Sequence, residues 1–558
     1  MHAPRILHVL LAVVAIHVRC TISNPINGEL HSNDVPVVDL GYSLHSANPS
    51  ETNATTYTFS NIRYADANRF SAATYPPHRD RSSVVNGTQQ SICPQAYPAW
   101  QFSAVEFLGG ADLSNYTTEQ LLNTSLVPPV DDTDEDCLHL DVQIPKVAFH
   151  QRRMVAKRTL LPIILWIHGG GYVQGHKSGD GDGSGLITRA MEVGGEGIMW
   201  VAINYRLGIF GWLSPGSDAS AQKVTRNAGL HDQLAGLRWI QDYAHLFGGD
   251  ANKITVLSQS AGAGSALIHL ATSLAQGETP LFHRAILQSP YTGILPSVES
   301  QTSLYHAALQ AANVSNLEEL RELDSHKLQD VSAALIASSA YGAFTFIPVL
   351  DSATFLSPVA ESLSQSKKTF PLIVSTNSHE GLLFAAPNSV DEPSYLSALA
   401  SLAPEFPSDD LANMTDTVYP ATLYRSQLDH LEATLADLLI RCNAQYTLRA
   451  FPETSYAYQY SVPSGVHAAD LHYTFFNGNI DDLPQKNLTV ANALQGYIAS
   501  FALGGSPQSA VAGVPGLTTF GEHVGVDLNI TGITQQVPDW PNSATCDGLQ
   551  EILSGAFA

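Results

Sequence analysis

The sequence predicts an α/β fold: a mainly parallel central sheet with helices on both faces and helical insertions. Three observations carry this. First, runs of strand length with apolar centres recur at residues 160–167, 198–204, 253–257, 284–289 and 371–375. Runs without alternation belong to strands covered on both faces. Second, residues 229–247 place Leu230, Leu234, Leu237, Ile240 and Tyr243 at helical spacing between two such runs, and strands alternating with helices imply parallel pairing. Third, charged residues are only 14% of the 558 and hydrophobic ones 44%, the balance of a globular chain.

The N-terminus reads as a secretory signal. Arg5 supplies a positive charge, and residues 6–18 are apolar apart from His8 and His17. That length suits a signal core rather than a membrane span. We expect a signal peptide at 1–20, cleaved near Cys20 to Ser23, and a single domain over 21–558. No other run is long and apolar enough to cross a bilayer, so no transmembrane segment is expected. Residues 549–558 are too short for a GPI tail. Eight Asn-x-Ser/Thr sequons, at Asn53, Asn86, Asn115, Asn123, Asn313, Asn413, Asn487 and Asn529, fit a secreted glycoprotein. Asn48 is excluded because Pro49 follows. With Cys20 lost in the signal, Cys93, Cys137, Cys442 and Cys546 remain, enough for two disulfides in an oxidising compartment. Spacing alone permits all three pairings. No Cys/His cluster suggests a metal. The net charge of −24 disfavours nucleic acid and anionic membranes as partners.

Residues 37–64 alternate between short apolar stretches and turns, as in a small β-meander. Residues 93–137 lack a period but carry Trp100, Phe102 and Phe107, which suggests a surface flap with an apolar underside. Residues 291–364 and 392–447 look like helical and loop insertions over the sheet. Residues 455–462 alternate and are aromatic, as a strand would be, and 473–476 look strand-like again. The last fifty residues show no clear motif, and no internal repeat is present.

The chemistry centres on Ser258-Gln259-Ser260-Ala261-Gly262. An apolar run precedes it and an Ala/Leu-rich helical run at 265–274 follows. That is strand, sharp turn and helix, with Ser260 at the apex. The nucleophile-elbow pattern is Gly-x-Ser-x-Gly. Gly262 supplies the second glycine, and Ser258, the smallest polar alternative, replaces the first. Such a serine needs a base to take its proton and donors to hold the oxyanion. His168-Gly169-Gly170-Gly171 leaves a buried strand and offers backbone N–H groups, which with the N–H of Ala261 would form an oxyanion hole. The order Ser, acid, His is that of α/β-hydrolases. Glu380 follows a buried strand and is the candidate acid. His467 and His472 both follow the aromatic strand as candidate bases, and physics alone does not separate them.

These segments together resemble the type B carboxylesterase/lipase family, which includes cholinesterases and secreted fungal lipases. The likeness runs from about Phe59 to the C-terminus. It rests on Glu135-Asp136-Cys137-Leu138, on His168 to Gly175, on Asn204-Tyr205-Arg206-Leu207-Gly208-Ile209-Phe210-Gly211, and on Gly229-Leu230-His231-Asp232-Gln233. The resemblance implies an α/β-hydrolase fold with Ser260 as nucleophile, Glu380 as acid and His467 as base. It implies Gly170, Gly171 and Ala261 as oxyanion donors, and the pairs Cys93–Cys137 and Cys442–Cys546. It also implies a buried Arg69–Glu135 ion pair. Four positions depart from the family pattern: Ser258 and Gln259 before the nucleophile, His379 before Glu380, and Ala468 after His467. No tryptophan lies between Leu126 and Asp136, where cholinesterases stack choline.

The expectation is a secreted, extracellular serine carboxylic-ester hydrolase that works through an acyl-enzyme, needs no cofactor or metal, and acts on a small-molecule or lipid ester. One alternative is a lipase with the 93–137 flap as a lid. Another is a catalytically inactive binding protein on the same fold.

Overall fold

The computed structural model describes residues 35–124, 132–152, 160–364, 368–404, 406–522, 524–536 and 543–556. The expected signal segment lies outside the described residues. The described strands, in chain order, are β1 (Val37–Asp39), β2 (Leu44–Ser46), β3 (Thr56–Arg63), β4 (Val84–Val85), β5 (His139–Pro145), β6 (Leu161–Ile167), β7 (Met199–Ile203), β8 (Gly249–Gln259), β9 (Arg284–Gln288), β10 (Leu372–Asn377), β11 (Ser455–Tyr460), β12 (Gly525–Asn529) and β13 (Gly532–Gln536). Ten form one sheet in the order β13-β12-β11-β10-β9-β8-β6-β7-β5-β3, and β1, β2 and β4 form a separate small one. From β7 through β12 every neighbouring pair is parallel. Antiparallel pairs, β3–β5–β7 on one side and β12–β13 on the other, finish the two edges.

The apolar runs are continuous because the central strands feed two cores at once. Ile163, Leu165 and Ile167 of β6, Val256 of β8 and Val374 of β10 point into one. Ile164 and Trp166 of β6, Leu257 of β8 and Ile373 of β10 point into the other. The helix Ala228–Phe247 covers the first core with Leu230, Leu237 and Ile240. The helix Leu488–Gly504 covers the second with Leu494, Ile498 and Phe501. The latter is apolar almost all round, so it shows little amphipathic signal in sequence.

Two family segments are tied together by a buried ion pair. Arg206 Nη2 lies 2.6 Å from Asp232 Oδ1 and Nε lies 2.8 Å from Oδ2, with both side chains buried. The Arg69–Glu135 pair forms at 2.5 Å but is half-buried rather than buried, with side chains 15% and 23% exposed.

Several local expectations are corrected. β3 does not complete a meander with β1 and β2; it pairs with β5 at the edge of the main sheet. Residues 473–476 are not a strand: the helix Leu471–Thr474 closes on Asp470, whose carbonyl accepts from the N–H groups of Tyr473 and Thr474. Four aromatic and β-branched residues are too few to reveal a period, and tertiary packing overrides their β preference. The helix after Ser260 begins at Ala261 rather than 265 and runs to Ala275, despite glycines at its start. The C-terminal region does hold order, as the β12–β13 hairpin and the helix Ser543–Ala556.

Both disulfides form, Cys93–Cys137 and Cys442–Cys546. The second ties the C-terminal helix to the helix Cys442–Ala450, which leads into β11. Asn53, Asn86, Asn115, Asn123, Asn313 and Asn413 are exposed, and Asn487 and Asn529 partly so. No helix among the described residues is long and apolar enough to cross a membrane. Replacing Cys442 and Cys546 by Ser opens a loop with a sequence separation of 104. By loop entropy this removes about 4.7 kcal/mol. The expected outcome is a lower unfolding midpoint in guanidinium titrations than for the wild type.

Candidate active site

β8 ends at Gln259 and a helix starts at Ala261, so Ser260 alone makes the turn, with φ +53° and ψ −124°. Positive φ at a side-chain-bearing residue costs on the order of 1–3 kcal/mol and persists only where its surroundings fix it. Here the Ser260 N–H donates to the Gln288 carbonyl at 2.9 Å. The Ser260 carbonyl accepts from the N–H groups of Gly264 (2.9 Å) and Tyr291 (3.1 Å). Crowding explains Gly262: a Cβ there would lie 2.1 Å from the Ile167 carbonyl oxygen of β6. Ser258 stands where the elbow pattern has glycine, and it fits because it is fully buried within β8, its Oγ 3.4 Å from the Ile286 carbonyl of β9.

Three strands deliver the partners to this edge. His467, after β11, places Nε2 2.8 Å from Ser260 Oγ and Nδ1 2.6 Å from Glu380 Oε2. Glu380, after β10, accepts through Oε1 from Ser289 Oγ and from the Asn377 N–H, both at 2.6 Å. A carboxylate can only accept, so Nδ1 carries the imidazole proton and Nε2 presents its lone pair to Ser260. Gln259 Nε2 approaches the same Nε2 at 3.3 Å, an amide donor facing that lone pair. Burial pushes the Glu380 carboxyl up. The charge of a protonated His467 and hydrogen bonds from His467, Ser289 and Asn377 outweigh it, so the group lies below the ordinary glutamate value. Of the two candidate bases, His467 is within hydrogen-bond distance of Ser260, while His472 sits half-buried on the next helical turn.

Two departures now have a local account. His379 turns outward, half-exposed, to Glu432 at 2.8 Å, and this partner raises its pKa. Ala468 adopts φ +69°, a conformation that favours glycine.

The His168–Gly171 run leaves β6. Tyr205 stacks on His168 with ring centroids 4.4 Å apart and donates to its carbonyl at 2.9 Å. Burial drives the His168 pKa down to about 4, so the ring is neutral. Gly170 and Gly171 take φ +104° and +60°. The Gly170 carbonyl accepts from the N–H groups of Val173 and Gln174, which closes the turn. Ala261 heads its helix, where N–H groups lack intrahelical partners. Ser260, His467 and Gly169 to Gly171 line one cavity with Gln101, Phe344 and Phe384.

Sequence reasoning missed Ser289, Asn377 and Asp470, and it singled out Gln259 only as a departure from the family pattern. Ser289 and Asn377 stand at the carboxyl ends of β9 and β10, which is the one signal that marked them. Asp470 is a second buried carboxylate behind Glu380. It accepts from Gln288 Nε2 at 2.9 Å and from Asn377 Nδ2 and the Tyr458 hydroxyl, each at 3.4 Å. Burial first, and the Glu380 charge next, push its carboxyl up to about 6.

The strand order and a serine turn at the carboxyl edge of a mainly parallel sheet define an α/β-hydrolase. The family model described as the Carboxylesterase family matches residues 44–546, and the chain belongs to that family. It is similar to Carboxylesterase patB of Aspergillus clavatus, 33% identical over 546 residues covering 93% of this chain and 96% of that one. It is also similar to Secreted lipase of Arthroderma benhamiae, 30% identical over 405 residues covering 67% and 72%. The solved structure of Aspergillus niger EstA matches with a TM-score of 0.77 and 22% identity over 95% of this chain and 100% of that one. Family and relatives make this chain a carboxylic ester hydrolase.

Ala468→Gly removes a positive-φ penalty and should stabilise the protein by about 1 kcal/mol, read from its denaturant midpoint. Asp470 binds its proton more tightly folded than unfolded, so it lowers stability as pH rises from 3.8 to about 6. Asp470→Asn should flatten the stability–pH curve in that window. Unfolding titrations of both proteins at pH 4 and 7 check this.

Proposed function

We propose that this carboxylesterase is a secreted serine enzyme that works through an acyl-enzyme. The observation that carries the reading is the hydrogen-bonded line from Glu380 through His467 to Ser260, at 2.6 and 2.8 Å. Ser260 Oγ attacks the ester carbonyl while His467 Nε2 takes its proton. Glu380 holds the imidazole and balances its charge. The N–H groups of Gly170, Gly171 and Ala261 receive the developing oxyanion, each donor being worth about 3 kcal/mol at the transition state. His467 then protonates the leaving alcohol. Water, activated by His467, releases the acid and restores Ser260.

The cavity, about 110 Å³, is smaller than the ~150 Å³ that holds a benzene-sized ligand. This favours small acyl and alcohol groups. A lipase is the second reading. The helix Trp100–Leu108, inside the Cys93–Cys137 loop, sends Gln101 and Val105 into the cavity as a cover would, and one relative is named Secreted lipase. Secretion, cleavage of residues 1–20 to leave one domain over 21–558, and glycosylation at the eight sequons complete the proposal. Two disulfides and mostly exposed sequons support an oxidising compartment.

The test is hydrolysis of p-nitrophenyl esters from acetate to palmitate, below and above their solubility limits, by wild type and Ser260→Ala. Expected are a preference for short acyl chains, no jump at the solubility limit, and a loss of at least about 10⁴-fold in kcat in the variant. An interfacial jump with long-chain preference would replace the esterase with the lipase. Equal rates in both proteins would remove Ser260 from the mechanism.

A further inference from the structure

Glu380 stands on a tight turn whose two flanks rest on one residue of a neighbouring helix. That residue is Glu432, on the helix Gln427–Ala436. On one flank, His379 Nδ1 lies 2.8 Å from Glu432 Oε1, with the imidazole half-exposed and the carboxylate largely covered. On the other flank, Gly381 is buried against the backbone of the same residue, where a Cβ would collide with the Glu432 carbonyl oxygen. Arg441 adds a third hold, its Nη2 donating to the Ser378 carbonyl at 2.7 Å.

The same turn also meets the chain that carries the base. The His379 N–H donates to the Gly465 carbonyl at 2.8 Å, two residues before His467, and the Ser378 N–H donates to the Tyr460 carbonyl at 2.9 Å. His379 and Val466 pair as an isolated parallel bridge. A Cβ on Gly465 would collide with Ser378 Oγ. His379 thus turns its ring away from the cavity while its backbone is bonded to the His467 chain. Between Glu432 and Gly465 it spans the two chains whose side chains, Glu380 and His467, meet at 2.6 Å.

We propose that His379 is a positioning residue, its bond to Glu432 holding the Glu380 turn at the spacing from the His467 chain that the carboxylate–imidazole contact needs. The inference rests on the Ser260–His467–Glu380 reading above. A misplacement of about 1 Å in such a site can cost about 100-fold in rate, so a loosened turn is read in kcat. The hold depends on pH. Its hydrogen bond to Glu432 raises the His379 pKa above 6.5. The ion pair is therefore fully present below 6.5 and is lost as pH rises through the higher folded value. A neutral ring keeps at most an uncharged hydrogen bond, roughly half as strong. Asp429 also favours the charged ring, and Arg441, itself 3.6 Å from Asp437, opposes it. Residues 464–466 of the His467 chain carry no charge.

The experiment measures kcat and KM for ethyl butyrate from pH 6 to pH 9. The proteins are wild type, Ser260→Ala, His379→Arg and Glu432→Gln, each checked for an unchanged melting profile. Wild-type kcat should fall at least about threefold between pH 7 and pH 9. His379→Arg, which stays charged, should hold its kcat across that range. Glu432→Gln should already turn over at least about threefold more slowly at pH 7, with KM within about twofold, and show no further fall. A merely structural contact would scale kcat by one factor at every pH and leave the profile's shape unchanged, which overturns the proposal. So would a wild type without the alkaline fall, or a fall that persists undiminished in either folded variant. If His379→Arg does not fold, the profile of Glu432→Gln decides alone. If Ser260→Ala hydrolyses the ester as fast as wild type, the underlying reading fails and takes this one with it. Failure of the His379 role alone looks different: hydrolysis depends on Ser260, and wild type and both other variants share one pH profile.

Discussion

Everything near the cavity is arranged around one residue that cannot relax. Ser260 is held at φ +53° between a strand that ends one residue before it and a helix that begins one residue after. The penalty of that backbone is met by neighbours packed so closely that they leave it no alternative. The Gln288 carbonyl takes its N–H, two N–H groups take its carbonyl, and β6 lies against Gly262. Those neighbours are the same strand ends that bring up the His168–Gly171 turn, Ser289 and Glu380. Strain at the turn and assembly of the site are therefore one constraint.

What was legible in the sequence follows from this. Strands that serve two cores carry apolar residues at every position, so β6, β7 and β8 announced themselves. The crowded turn demanded small residues, so Gly262 and the glycine run after His168 stood out. What was not legible depends on neighbours in space. Ser289 and Asn377 are ordinary polar residues until β9 and β10 lie side by side and aim them at Glu380. Asp470 looks like any loop carboxylate until the helix Leu471–Thr474 buries it behind that acid. β3 reads as part of a meander because its partner β5 is far away in sequence, beyond the whole Cys93–Cys137 loop.

The departures from the family pattern illustrate the difference between sequence motif and physical requirement. Ser258 satisfies the space that glycine leaves, because its hydroxyl is swallowed within the sheet. His379 leaves the site altogether for Glu432. Ala468 does carry a conformational penalty, and the surrounding packing absorbs it. Among them only Gln259 reaches His467, offering an amide hydrogen to the imidazole nitrogen that also faces Ser260.

The two disulfides follow one another along the chain without interleaving: Cys93 with Cys137, then Cys442 with Cys546. A chain made from its N-terminus therefore exposes Cys93 and Cys137 to each other long before Cys442 exists. In an oxidising compartment, order of emergence favours the Cys93–Cys137 pair, which leaves Cys442 and Cys546 to each other.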